Sequence, residues 1–268
     1  MEPPLLYVGL TLVFGLVGGL LPILNQSKEN ISKLKMLTGI ASGILIASAM
    51  LVVIPEGFEL ATEDEHAETL VLGGAILAGF ALMLILEGSG IGHAVHEEHH
   101  DHEHDHGHSH VHHGPSGWML VFGLSLHAAP DGLAIGAAAA SGGVTVTAAV
   151  AFAVLIHKAP AAFSLGVFSM HEQGDKSKSI RDVVIFSLAT PVMIMVAFYA
   201  LTDLGHHMIG LAMLFSAGTF LYVATVDTLP DIHNPETGRK ALMYVITGII
   251  ILAILLVLAD SLNLGHEH

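Results

Sequence analysis

The chain has 268 residues, a formal net charge of −15 and no cysteine. Hydrophobic residues make up 53% and charged residues only 12%, about half the charge of a soluble domain. These figures exclude a disulfide-stapled domain and a thiolate metal site. Nor is nucleic acid an expected partner of so acidic a chain.

The apolar residues gather in eight blocks, at 5–24, 36–60, 70–90, 117–141, 144–170, 180–203, 207–229 and 240–260. Each is long enough for a helix to cross a bilayer, which takes about 20 residues. None shows the alternation of barrel strands, so lipid leaves helices as the remaining solution. The predicted fold class is an all-α polytopic membrane protein with eight transmembrane helices, here called spans 1 to 8, forming one domain over 1–268.

Span 1 follows "MEPP" with no basic residue before it and is read as a retained helix. Span 2 carries "VVIPEGF", in which Pro55 precedes Glu56. Between spans 2 and 3 lies the acidic "ATEDEHAET" at 61–69, which either concentrates cations at the outer mouth or is a solvated loop.

After span 3 comes "HAVHEEHHDHEHDHGHSHVHH", with eleven histidines in residues 93–113 and no Lys or Arg. It cannot build a core, so 91–115 is expected to be a flexible loop. Its imidazoles, among them His99, His100, His102, His104, His106, His108 and His110, suit loose binding of borderline metals.

Span 4 holds "LHAAPDGLAIG", with His127 and Asp131 four apart and hence on one helical face. Span 5 holds "IHKAPAAF", with His157, Lys158 and Pro160. Pro130 and Pro160 lack an N–H, which frees the carbonyls of Leu126 and Ile156. Both motifs fall near mid-block, so His127, Asp131 and His157 are expected to meet near the bilayer midplane as a metal site. Ionisable groups at that depth cost several kcal/mol and are functional by default.

Span 7 ends in "DTLPDIH", with Asp227, Asp231 and His233 around Pro230. The Pro–acid pairs of spans 2 and 7 lie at opposite depths and suggest an inverted repeat of spans 1–3 and 6–8 about a central pair.

Orientation follows from Lys and Arg. Lys28, Lys33 and Lys35 lie between spans 1 and 2, Lys176, Lys178 and Arg181 between spans 5 and 6, and Arg239 and Lys240 between spans 7 and 8, with Arg181 and Lys240 at soft span edges. Eight spans place all of them on one side, the cytoplasm, with both termini outside and the histidine-rich loop inside. Lys158 alone lies within a span.

The segments "HAAPDGLAIGAAAA" and "HKAPAAFSLG" resemble the fourth and fifth helices of the Zrt-/Irt-like (ZIP) divalent metal transporters. "VIPEG", "ATPVMIMV" and "MLFSAGTFLYVATVDTLPDI" extend the resemblance, the last two toward the subgroup of the ninth-numbered animal member. The resemblance implies a 3+2+3 inverted-repeat arrangement, a homodimer, and zinc movement toward the cytosol. It carries metal ligation to His127, Asp131 and His157.

Many members of that family have a two-metal centre, and here the chain departs from the pattern. Ala128 stands where Asn is frequent, Lys158 where a bridging acid or polar residue is frequent, and Ala161 and Thr190 where Glu is expected. Lys158 is therefore expected to occupy the place of a second metal, its ammonium pairing with Asp131. A neutral, titrating lysine and a simple interhelical pin are the alternatives.

The expected path runs from Glu56, through the His/Asp/His site with water or a freed carbonyl as fourth ligand, to Asp227, Asp231 and His233. The two central helices are expected to rock against the flanking halves. Zinc is the expected ion, with iron(II), manganese(II) and cadmium as other candidates. The protein is expected to be no enzyme, integral to a membrane, and by its lack of cysteine and compact N-terminus in a prokaryotic cell membrane. The rival readings are a metal-sensing receptor and an intramembrane metal-dependent hydrolase. The latter lacks the general base that an H-E-x-x-H pattern would supply.

Overall fold

The computed structural model describes residues 2–25, 31–63, 68–89, 117–235 and 237–261, with the backbone alone at 25, 31–32, 117–120, 172, 227–231 and 260. The histidine-rich tract and residues 64–67 of the acidic loop lie outside the described residues.

Among the described residues the chain is helical, without strands. The helices are α1 (Leu5–Asn25), α2 (Ile31–Ser48), α3 (Ile54–Glu63), α4 (Thr69–Gly88), α5 (Gly117–Ser141), α6 (Val144–Gln173), α7 (Lys176–Leu201), α8 (His206–His233) and α9 (Gly238–Ser261). A π-helical stretch, Ala49–Val53, joins α2 to α3 into one span from Lys33 to Glu63. Eight spans long and apolar enough to cross a membrane result, as the apolar blocks require.

The block edges shift where polar residues are recruited into helix. α6 runs on to Gln173 because Gly174, at φ 58°, adopts the left-handed conformation and donates its N–H to the Met170 carbonyl. The next residue, Asp175, caps α7 by accepting from the amides of Ser177 (2.8 Å) and Lys178 (3.3 Å). The turn is pinned from inside by Asp182, which is buried and accepts from Ser169 Oγ at 2.8 Å, from Gln173 Nε2 and from its neighbour Arg181 at 3.0 Å. The predicted loop of 171–179 is thus mostly helix. Lys33, Lys35, Lys176, Lys178, Arg239 and Lys240 all fall in opening turns of helices rather than in loops. A helix N-terminus disfavours cations, a cost reduced by long stems that carry the charge outward.

Neither Pro130 nor Pro160 interrupts its helix. The irregular backbone lies instead in span 2. There Ile54 donates its N–H to the Ala49 carbonyl, five residues back. The wider turn immediately precedes Pro55, whose ring would clash with the carbonyl of Leu51 in a regular helix.

Contacts divide the helices into two bodies. α1, α5, α6 and α7 pack together, and α2, α3, α4, α8 and α9 pack together. The seams between them run along α5 against α8, and along α2 and the π stretch against α6. Exchanging spans 1–3 with 6–8 and span 4 with 5 maps α1–α6 onto α5–α7, α2–α9 onto α4–α8, and one seam onto the other. α6–α7 and α8–α9, neighbours along the chain, have no equally extensive counterpart.

Glycine makes the matched crossings close. A Cβ on Gly43 of α2 would lie 2.0 Å from the Val245 carbonyl oxygen of α9, and one on Gly248 would lie 2.1 Å from that of Ile40. In the exchanged pair, Cβ atoms on Gly218 and Gly79 would lie 2.0 Å and 1.9 Å from the oxygens of Ile76 and Phe215. Small residues of this kind let helices approach where lipid supplies no hydrophobic drive. Gly43 and Gly218 each stand twelve residues before the span's proline, Pro55 and Pro230.

Candidate metal site

His127 lies close to the midpoint of α5 and His157 close to the midpoint of α6. Their rings stand 5.8 Å apart between centroids, inclined by 29°. An imidazole bound through one nitrogen at about 2.0–2.1 Å puts its centroid roughly 3 Å from zinc, so two rings on one tetrahedral ion lie roughly 5 Å apart. The observed spacing is within an ångström of that.

His157 is 5% exposed, and its Nε2 is buried with no hydrogen-bond partner among the described residues. A buried polar atom left unpaired costs about 1–3 kcal/mol, a cost that metal ligation removes. His127 is half-buried. Asp131 is 5% exposed, one turn beyond His127 on α5, and lies within electrostatic reach of both His157 and Lys158. It does not close on the histidines: among the described residues no three His, Asp or Glu side chains converge as a ligand set.

Lys158 is 1% exposed and is among the largest fully buried side chains. Its Nζ donates to Thr190 Oγ1 at 2.8 Å and sits 4.4 Å from the centre of the Phe186 ring. Phe186 and Thr190 are one turn apart on α7, so that face of the helix holds the ammonium by a charged hydrogen bond and a desolvated cation–π contact. From α1, Gly15 presents bare backbone: a Cβ there would lie 3.1 Å from Lys158 Cε. The Thr190 hydroxyl donates onward to the Ala128 carbonyl at 3.0 Å. No ion pair between Lys158 and Asp131 forms among the described residues. The expected carboxylate partner is thus replaced by a neutral hydroxyl, with Asp131 acting at longer range. Ala161 is half-buried against the cluster of Ala162, Leu165 and Phe186.

The predicted pathway residues lie on other helices, α3 and α8. Glu56 is half-buried in the first turn of α3, just after the π stretch. Asp227 and Asp231 lie four apart in the last two turns of α8, and His233, exposed, closes that helix. The seven loop histidines from His99 to His110 lie outside the described residues. Between α3 and α8, His206 Nδ1 contacts Glu63 Oε2 at 2.5 Å and His207 Nδ1 contacts the Ala61 carbonyl at 2.8 Å. The two histidines that open α8 thus hold the end of α3. Sequence reasoning missed this closure, although "GHHM" after a short polar turn was a visible signal. Thr190 was also missed as a hub, having been singled out only as a lost ligand.

Comparison with known proteins decides the family. A family model described as ZIP Zinc transporter matches residues 2–110 and 89–256. The chain belongs to the ZIP zinc transporter family. It is 33% identical over 297 residues to zinc transporter ZIP9-A of Xenopus laevis, covering 94% of each chain. It is 33% identical over 304 residues to zinc transporter ZIP9 of Micropogonias undulatus, again over 94% of each. Similarity to zinc transporter ZIP10 of Mus musculus is 29% over 132 residues, 46% of this chain and 14% of that one. As a ZIP protein the chain is a transporter rather than an enzyme, integral to a membrane, with zinc as its substrate. These relatives are animal proteins and lend the prokaryotic assignment no support. The three departures Ala128, Lys158 and Thr190, scattered in sequence, form one hydrogen-bonded series beside the two central histidines.

Proposed function

We propose that this ZIP protein moves zinc toward the cytosol through a site whose nitrogen ligands are His127 and His157. The observation that carries the reading is the buried, unpartnered Nε2 of His157 beside the His127 ring. Asp131, a single turn from His127, completes the set by a side-chain movement when an ion arrives, with water as a fourth ligand. Three protein ligands and an open position suit an ion that must leave again. Lys158 supplies a fixed positive charge where a second metal would sit, so one ion binds at the intramembrane site of each chain. Iron(II), manganese(II) and cadmium share the ligand chemistry and are further candidate substrates.

The matched glycine–proline spacing and matched helix pairings favour a 3+2+3 inverted repeat within one domain, 1–268, with 91–115 as a cytoplasmic metal-collecting loop. The grouping of contacts favours movement of the α1, α5, α6, α7 body, carrying the ion, over rocking of the two site helices alone. Glu56 at the outer side and Asp227, Asp231 and His233 at the inner side would pass the ion in and out. A homodimer with both termini outside is part of the proposal. So is a prokaryotic cell membrane, which rests on the lack of cysteine alone.

The test is zinc uptake by vesicles holding the purified protein and an internal zinc-sensitive dye. Uptake by the wild type and its loss in His127→Ala is the expected result. Equal uptake by both would place the path elsewhere.

A further inference from the structure

We propose that Thr190 is a positioning residue for the metal site: its hydroxyl, bridging the Lys158 ammonium and the Ala128 carbonyl, sets the separation of His127 and His157. The inference rests on the assignment of those histidines as ligands.

The bridge joins three helices at the residues next to the ligands. Lys158 follows His157 on α6, and Ala128 follows His127 on α5. Thr190 on α7 touches both, at 2.8 Å and 3.0 Å. The direction of each bond is forced by chemistry. An ammonium only donates and a carbonyl only accepts, so the hydroxyl must accept from Lys158 and donate to Ala128. No alternative rotor position keeps both bonds. All three residues are 1% exposed or less, and without water to compete, such a series is stronger and more directional than at a surface.

The backbone of Thr190 is itself fixed. Gly132, one turn beyond Ala128 on α5, lies so close that a Cβ there would come within 2.5 Å of the Thr190 carbonyl oxygen. On the other side Phe186 faces the ammonium at 4.4 Å, so Nζ has little freedom to follow a moved hydroxyl. The strap therefore transmits any displacement of α7 to both histidine-bearing helices. The histidine rings stand 5.8 Å apart, within about 1 Å of the spacing one tetrahedral zinc requires. Sites of this kind tolerate errors of only about 0.5 Å in ligand placement. A device acting on the adjacent residues is where such precision has to come from.

The experiment compares zinc binding by the purified full chain with Thr190→Ser, Thr190→Val, Thr190→Ala, His127→Ala and His157→Ala. It uses zinc alone as probe, at no more than one equivalent per chain so that the looser histidine-rich loop stays empty, with a binding isotherm and a zinc K-edge absorption spectrum for each. Thr190→Ser keeps the hydroxyl and is expected to bind within about twofold of the wild type, whereas Thr190→Val and Thr190→Ala weaken binding about tenfold or more, the scale of lost outer-shell support. The K-edge spectrum of the Val and Ala variants is expected to show fewer imidazoles on zinc than the two expected for wild type and Thr190→Ser. A merely structural role would not change that count. Should Thr190→Val fail to fold, the Ser and Ala variants carry the comparison, since Ala leaves room for water beside Lys158. If both histidine variants lose zinc while the Ala and Val variants bind it as the wild type does, with two imidazoles, the positioning role is overturned. If the histidine variants keep wild-type binding, the ligand assignment fails first and takes the inference with it.

Discussion

His157→Leu is expected to lose zinc binding by about a hundredfold or more, yet to melt no lower than the wild type when both are free of metal. The two halves of this result have one cause. His157 Nε2 is buried without a partner, which costs about 1–3 kcal/mol of stability. Leu fills a similar volume with no polar atom, so the metal-free fold loses a penalty and keeps its packing. The metal, however, loses one of its two nitrogens. Outer-shell partners alone are worth 10–100-fold in metal affinity, so loss of a ligand should reach about a hundredfold at least. A binding isotherm and a thermal melt in detergent measure the two quantities. A His157→Leu protein that melts well below the wild type and still binds zinc would mark the imidazole as a packing residue.

The second large effect is expected of Lys158→Asp. The wild-type ammonium is fully buried between Thr190, the Phe186 ring and the bare backbone of Gly15, within electrostatic reach of Asp131. A carboxylate introduced there would face Asp131 as a like charge with no cation between them. An unpaired buried charge costs about 3–5 kcal/mol, equivalent to a fall of roughly 10 °C in melting temperature for a chain of this size. A metal ion cures the defect. The variant is therefore expected to melt low when metal-free, to recover on adding zinc, and to hold two zinc ions within the helices of each chain where the wild type holds one. Anomalous diffraction at the zinc edge and a melt with and without zinc read these outcomes. One ion within the helices with no recovery by zinc would show that Lys158 is a pin between helices rather than the counterpart of a metal.

Much of the fold was legible because lipid imposes simple demands. Block length placed the eight spans. The span edges were legible only roughly, since capping by Gly174 and Asp175 carries helix into polar sequence that hydropathy reads as loop. The π stretch before Pro55 was not legible. Composition at 49–53 is ordinary, and the shift is one of backbone hydrogen bonding forced by a proline downstream. The proposed inverted relation of spans 2 and 7 rests in the sequence on two Pro–acid pairs. The stronger signal, an equal Gly-to-Pro spacing in both spans, needed the knowledge that Gly43 and Gly218 sit at matched helix crossings.

In the site, His127, His157 and Lys158 stood out because imidazoles and an ammonium are costly in an apolar run. The structure brings them together. It does not bring Asp131 to the histidines, because helical spacing fixes a face but not a rotamer. Nor could sequence choose between Asp131 and Thr190 as the partner of Lys158. A threonine in a membrane helix usually bonds its own preceding turn, as Thr11 and Thr225 do here. Only the packing of α7 against α5 turns Thr190 outward to a second helix.

The most direct test is anomalous diffraction at the zinc edge from crystals of the wild-type protein grown with zinc. The account predicts one anomalous peak per chain within the helices, between His127 on α5 and His157 on α6, with none beside Lys158. A second peak at Lys158, or an intramembrane peak away from both histidines, would contradict it.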